Sequence, residues 1–335
     1  MDSATQFLLG ASIAGAVLAP RIGPKAVLLG GIVATLPDLD FVVPFDNPVD
    51  RLTYHRGASH SVLVLTLASP AIAWIATKIF KSAAEHWRLT FFTVWLCLVT
   101  HPMLDVLTTY GTQILWPLPV GPPAALPAVF IIDPVYTFLL LAGILTIVFA
   151  RNRPGRGLRA NRVLLGLSTL YLAVGITGHY IVKARAEAQP ALKDSRILVQ
   201  PLPFNILFWQ VLAVDKTTYR TGITSPFAGC GAIALRSHPR LSAPPDGIEA
   251  GRAIARYQWF TDGFYTYGKN GKDVFVRDLR LGVNPNFIFT FVIAERQGDA
   301  VRTVKPRRIP VDRLDMSAFR TLVDDVTESL NGCPG

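Results

Sequence analysis

Four apolar stretches, at 60–80, 89–107, 129–150 and 163–182, are each long enough to cross a lipid bilayer, and they leave the chain few choices of fold. Roughly 20 apolar residues span the hydrocarbon core, and backbone groups there must be satisfied within the segment, so these stretches read as helices. Two shorter stretches precede them, 5–19 and 25–36, separated by Pro20, Arg21, Gly23 and Pro24. At about 15 and 12 residues they suit a hairpin of tilted or partly inserted helices. Half of the 335 residues are hydrophobic, concentrated before residue 184. The expected architecture is an α-helical polytopic membrane domain over 1–185, with about five or six membrane helices, followed by a β-rich α+β soluble domain over 190–335.

The formal net charge is +10, and its densest run is Arg151, Arg153, Arg156, Arg159 and Arg162, between two apolar stretches. That placement suits a cytoplasmic loop under the positive-inside rule. No aromatic residues interleave with the arginines, so nucleic acid is not an expected partner; the lipid bilayer is. Arg21 with Lys25, and Lys78 with Lys81 and Arg88, form two further basic clusters. If all three are cytoplasmic, the chain is a multi-pass protein of the inner or plasma membrane. Asp38, Asp40, His55, His60, His101, Asp105 and Asp133 then share the outer face, and the C-terminal domain is extracytoplasmic too. Lys183, Arg185, Lys193 and Arg196 pull mildly the other way. The opening Met1-Asp2-Ser3 is acidic, unlike a signal peptide, so the first stretch reads as a mature helix.

Beyond about residue 190 the segments become short, aromatic and β-branched: 197–199, 208–214, 257–260, 274–280 and 287–292. Turn residues separate them, with Lys269-Asn270-Gly271-Lys272 the strongest hairpin signal. A helix is expected over 316–330. Cys97 lies inside a predicted span and reads as a small packing residue, whereas Cys230 and Cys333 could pair in an oxidising compartment.

The ionisable groups at the ends of the apolar stretches carry the chemistry. Such groups are costly in an apolar chain and mark function by default. Asp38 and Asp40 follow Pro37, where two carboxylates can turn to a common point or simply meet water. His55 and His60 flank Arg56-Gly57-Ala58-Ser59; Gly57 permits a tight turn, and Ser59 suits the cap of a helix starting at His60. His101 and Asp105 are the strongest pair, because i and i+4 positions bring β-carbons within about 5–6 Å on one helix face. Pro102 falls inside that helix. Asp and neutral His are ligands that suit a divalent metal. Asp133 ahead of Pro134 is either an N-cap or a site carboxylate. Arg56 either binds an anionic substrate group or pairs with an Asp. His86, His179 and His238 are not assigned to the site.

In order, the opening Met1-Asp2-Ser3-Ala4-Thr5-Gln6, Leu36-Pro37-Asp38-Leu39-Asp40, His55-Arg56-Gly57-Ala58-Ser59-His60-Ser61, His101-Pro102-Met103-Leu104-Asp105 and Ile132-Asp133-Pro134 resemble the YdjM-like family of predicted inner-membrane metal-dependent hydrolases. That family is distantly similar to zinc-dependent phospholipase C and the P1-type nucleases. The resemblance implies a hydrolase with a divalent metal, zinc first among the options. Its ligands would be Asp38, Asp40, His55, His60, His101 and Asp105. Asp38 or Asp133 would serve as general base, and Arg56 would offset charge developing on the substrate. Gln6 departs from the pattern, since many members carry a histidine there. A site at the membrane interface favours a phosphoester or lipid-linked substrate. Two other functions compete: a transporter or ion-binding protein using the same residues, and a non-catalytic anchor for an envelope-binding domain. Interrupted helices in equivalent halves, the usual transporter sign, are missing from the sequence.

Overall fold

The structure is a computed structural model describing residues 1–150, 153–228, 233–245, 247–248, 251–283, 286–297 and 300–310. The chain forms two compact units, one of Met1–Val43, His55–Ile176 and Pro203–Asn205, the other of Pro44–Tyr54, Thr177–Leu202 and Ile206–Gly335.

The first helix, α1 (Ser3–Val17), starts where the Asp2 side chain accepts the Thr5 N–H. A short α2 (Ala19–Ile22) ends at Gly23, whose φ of +68° reverses the chain into α3 (Lys25–Thr35). This left-handed conformation is one that glycine adopts at little cost. Helices α1 and α3 approach so closely that a β-carbon on Gly30 would lie 2.2 Å from the Gly10 carbonyl oxygen. Small residues thus let the two backbones touch, as they do between membrane helices. Cys97 is buried against the same carbonyl, 3.5 Å from it, and serves as the small packing residue the sequence suggests.

A 3-10 turn, Leu36–Val42, follows α3, and α4 (Pro48–Tyr54) belongs to the second unit. Helix α5 (Val62–Ile79) is capped by Ser61 and joined through α6 (Lys81–Ala84) to α7 (Trp87–Val106). His60, just before α5, meets His101 near the end of α7, so the two long helices run antiparallel. Helix α8 (Pro134–Phe149) begins at Asp133, and α9 (Pro154–Glu187) runs for 34 residues.

Among the described residues, three helices, α5, α7 and α9, are long and apolar enough to cross a membrane, rather than the five or six expected. The stretch 129–150 falls short because the Asp133-Pro134 cap delays the helix, leaving 16 residues. The arginine run also departs from a loop. From Pro154 onward it is helical, with Arg156, Arg159 and Arg162 three apart, and the Arg162 guanidinium donates to the Ala16 carbonyl at 3.0 Å.

The second unit holds two antiparallel four-stranded sheets. One runs in the order β1 (Arg196–Pro201), β2 (Trp209–Val214), β3 (Thr218–Thr224), β4 (Arg236–Pro239). After α10 (Arg252–Phe260) come β5 (Tyr265–Asn270), β6 (Asp273–Asp278), β7 (Gly282–Val283), β8 (Asn286–Phe287), β9 (Thr290–Gln297) and β10 (Ala300–Arg308). The second sheet has the order β10-β9-β6-β5, and β7 pairs with β8. Asn270 pairs with Asp273 across a two-residue Gly271-Lys272 loop, Gly271 having φ +56°, so the predicted hairpin forms where the sequence placed it. The segment 257–260 is helical instead of a strand. Ile254, Tyr257 and Phe260 are the buried residues of α10, and their spacing of three is the period of a helix face, which overrides the β preference of the aromatics. The predicted helix 316–330, Cys230 and Cys333 lie outside the described residues.

Gly30→Val should lower the stability of the detergent-solubilised protein by about 3 kcal/mol, the upper range for overpacking, because the backbone of α1 cannot give way. Gly155→Ala meets nothing within 4 Å and should leave thermal unfolding unchanged or slightly raised.

Candidate metal centre

The last turn of α7 carries His101 and Asp105 on one face, both fully buried. Pro102 lies between them inside the helix. The His101 ring is oriented from α3: its Nδ1–H donates to the Ala34 carbonyl at 2.6 Å. A carbonyl can only accept, so Nδ1 carries the proton and Nε2 presents a lone pair.

His60 closes the short 3-10 turn Ala58–His60 and is also fully buried. The Ser59 hydroxyl donates to Asp40 Oδ2 at 2.6 Å and lies 2.9 Å from His60 Nδ1. Having given its proton to the carboxylate, the hydroxyl accepts from Nδ1–H, which again leaves Nε2 bare. Ser59 therefore sets the His60 tautomer rather than capping a helix from His60. The helix begins two residues later, where Ser61 accepts the Val64 N–H.

The two Nε2 atoms lie 3.1 Å apart. Asp38 Oδ1 is 3.4 Å from each, and Asp105 Oδ2 is 3.2 Å from that of His60 and 3.6 Å from that of His101. Asp38, His60 and His101 each offer one ligand atom, all within 4.8 Å of one another. Asp105 Oδ2 is buried with no hydrogen-bond donor. Three electron-rich atoms thus face a common point, with Asp105 Oδ2 beside the two nitrogens, an arrangement that favours a positive charge among them, either a proton or a metal ion. The donor set of this trio, two imidazoles and a carboxylate, fits a divalent metal.

Counter-charge already present is aimed at the other oxygen of Asp105. Oδ1 accepts from the Met1 amino group, from Arg56 Nη2 at 3.1 Å and from Gln6 Nε2 at 3.2 Å. Gln6 also donates to the His101 carbonyl at 3.1 Å, so a residue that is a poor ligand holds the ligands instead. Arg56 is buried, donates to Thr108 Oγ1 at 3.0 Å and lies 4.8 Å over the Tyr110 ring. Of the two sequence options for Arg56, pairing with an Asp is the arrangement present. Its φ of +59°, and not the Gly57 backbone, supplies the left-handed residue of this loop.

Burial pushes the Asp38 carboxyl upward, yet the adjacent His101 and His60 imidazoles and the Ser3 hydroxyl outweigh this and hold it well below the usual carboxylate range. For His60, burial disfavours the imidazolium, but the nearby Asp105 and Asp38 carboxylates prevail and raise its pKa.

Asp40 and His55 stand beside this group as a pair of their own. His55 Nδ1 donates to Asp40 Oδ1 at 2.8 Å, and the His55 side chain is 31% exposed. Asp40 is held below its ordinary value: burial opposes ionisation, while His55 and Ser59 outweigh it. Asp133 is occupied elsewhere. Its Oδ1 accepts the Tyr136 N–H at 3.0 Å and its Oδ2 the Tyr171 hydroxyl at 2.8 Å, as an N-cap would. The supporting groups Met1, Ser3, Gln6, Ala34, Ser59 and Thr108 were not assigned these roles from sequence. Only the spacing of Ser3 and Gln6 on one face of α1 hints at theirs.

A family model for the YdjM inner membrane protein matches residues 1–182, more than half of the chain and all of the residues just described. The chain belongs to that family. Among curated proteins, the "Uncharacterized protein YfhP" of Bacillus subtilis (strain 168) is 28% identical over 193 residues, covering 55% of this chain. The match spans 54% of that relative's length. No solved structure matches. Family membership and the apolar helices together place the protein in a membrane.

Arg56→Met should destabilise the protein by about 3 kcal/mol in chemical denaturation, because it removes one cation from a buried carboxylate. Arg56→Lys should recover only part of that loss, lacking the planar fork that reaches Asp105 and Thr108 together.

Proposed function

We propose that this protein is a membrane-bound metal-dependent hydrolase acting on a phosphoester or lipid-linked substrate. The observation that carries the proposal is the convergence of Asp38 Oδ1, His60 Nε2 and His101 Nε2, with the buried Asp105 Oδ2 3.2 Å from the His60 nitrogen. These four residues would hold the ion. Bound there, a divalent metal such as zinc would supply a Lewis acid and lower the pKa of water.

The remaining work belongs to the chain's own groups. The Ala34 carbonyl and the Asp40–Ser59 relay fix both imidazoles with Nε2 turned inward, the positioning that metal-ligating histidines need. Asp38 has a side chain 12% exposed where the other three are fully buried, so it is the member that water and substrate reach. Its Oδ2, held by the Ser3 hydroxyl, would receive the proton of an attacking water. Arg56 and Gln6 keep Asp105 in position and are not free to bind substrate. Asp40 and His55 are proposed as supports for His60 at the edge of the site. The basic clusters favour an outer-face location for the site and for the C-terminal domain, which would serve as a recognition module.

Purified protein should contain bound divalent metal by elemental analysis and hydrolyse phosphodiester or phosphomonoester probes. His101→Ala and Asp38→Ala should each lower metal content at least tenfold and the rate at least a hundredfold. Asp133→Ala should keep its metal while losing about 1 kcal/mol for the missing cap. Unchanged metal content in His101→Ala would sink the proposal, and bound metal without hydrolysis of any probe would favour an ion-binding role.

A further inference from the structure

Around the site, the apolar surface does not stop where the long helices stop. Ser61, the cap of α5, donates its hydroxyl to the Trp116 carbonyl at 2.6 Å, and Val62 N–H donates to the Ile114 carbonyl at 2.9 Å. Residues 114–116 are thereby pinned to the first turn of a membrane-crossing helix. On the other side, the turn Leu36–Val42 is tied to the same helix ends through the contacts of Asp38 with His60 and His101.

Both segments present large apolar side chains outward. Leu39, Phe41 and Val42 are 51%, 59% and 67% exposed, and Trp116, Leu118 and Val120 are 40%, 52% and 60% exposed. Single exposed hydrophobics are ordinary, but these lie on a 3-10 turn and an irregular segment tied to one end of the α5–α7 pair. From 113 to 132 the sequence contains no Asp, Glu, Lys, Arg or His. In the turn, Asp38 and Asp40 are the only ionisable groups, and both bond inward to the cluster. Irregular backbone is excluded from lipid-exposed hydrocarbon but accommodated in the headgroup zone, where a tryptophan is favoured.

We propose that this rim is seated in the headgroup and upper acyl region of the bilayer, and that the substrate is a phospholipid-type ester that never leaves the membrane. The assignment rests on the hydrolase proposal for its chemistry and on the continuity of the rim with the helix ends for its location. The lipid's tails stay against Phe41, Val42, Leu118 and Val120 while its phosphoester reaches Asp38. In the reaction, water oxygen bonds to phosphorus, the ester P–O bond breaks, and the departing alcohol takes a proton.

Full-length protein in phosphatidylglycerol–phosphatidylcholine nanodiscs tests this in two ways. A photo-reactive benzoylphenylalanine introduced in place of Phe41 or Val120 should form lipid adducts on illumination. The yield should be within about threefold of that for the same probe in place of Leu67, an 81% exposed residue of α5. Labelling at Leu67 without labelling at the other two positions overturns the seating. For activity, zinc-loaded protein should turn over the long-chain lipid at least tenfold faster than its deacylated, water-soluble counterpart. The double variant Phe41→Ser, Val42→Ser should lose at least tenfold on the lipid and stay within twofold on bis-(p-nitrophenyl) phosphate. Equal rates on lipid and soluble ester overturn the substrate assignment while leaving the hydrolase proposal intact. Failure to hydrolyse any ester rejects the hydrolase proposal and this substrate assignment with it, and the adducts then decide the seating alone.

Discussion

The site depends on an imbalance of charge around Asp105. One of its oxygens is saturated by the Met1 amino group, Arg56 and Gln6, while the other faces the two imidazole nitrogens without a hydrogen-bond donor. Groups of this kind are too costly to bury unless positive charge completes them. A helix end that has to hold an incomplete set of ligands cannot pack as an ordinary apolar end, and the neighbouring elements are arranged accordingly. Helix α3 contributes a backbone acceptor, α1 contributes Gln6, and the loop before α5 contributes Arg56, Ser59 and His60.

The tight packing of α1 on α3 has the same origin. Gly10 and Gly30 permit a backbone contact that brings Gln6 and Ala34 into reach of α7. The cap residues behave likewise: Ser61 both starts a long helix and fastens the 114–116 segment beside the cluster. Helix starts, glycine contacts and ligand orientation are parts of one structure here, although they are widely separated in sequence.

Much of this could be read in the chain beforehand, for identifiable reasons. The i, i+4 relation of His101 and Asp105 and the turn at Gly271 are local, so spacing and residue type sufficed. The meeting of Asp38 and His60 with that pair needed helices to fold back on one another, and charge patterning supplied only the shared end. Side chains whose roles depend on partners far along the chain were beyond reach: Ser59 between Asp40 and His60, Gln6 against Asp105, Asp133 with Tyr171. The misread helix at 257–260 shows the reverse error, in which aromatic residue type was weighed above the spacing of the buried positions.

The antiparallel arrangement of α5 and α7 has one more consequence. His60 precedes the first turn of one helix and His101 sits near the last turn of the other, with 3.1 Å between their ring nitrogens. Sliding either helix by a single residue displaces it by about 1.5 Å along its axis, half that separation. Any ion held between these nitrogens would therefore depend on the axial alignment of the two helices. Any motion that shears one helix past the other would be felt first as a change in the spacing of this candidate site.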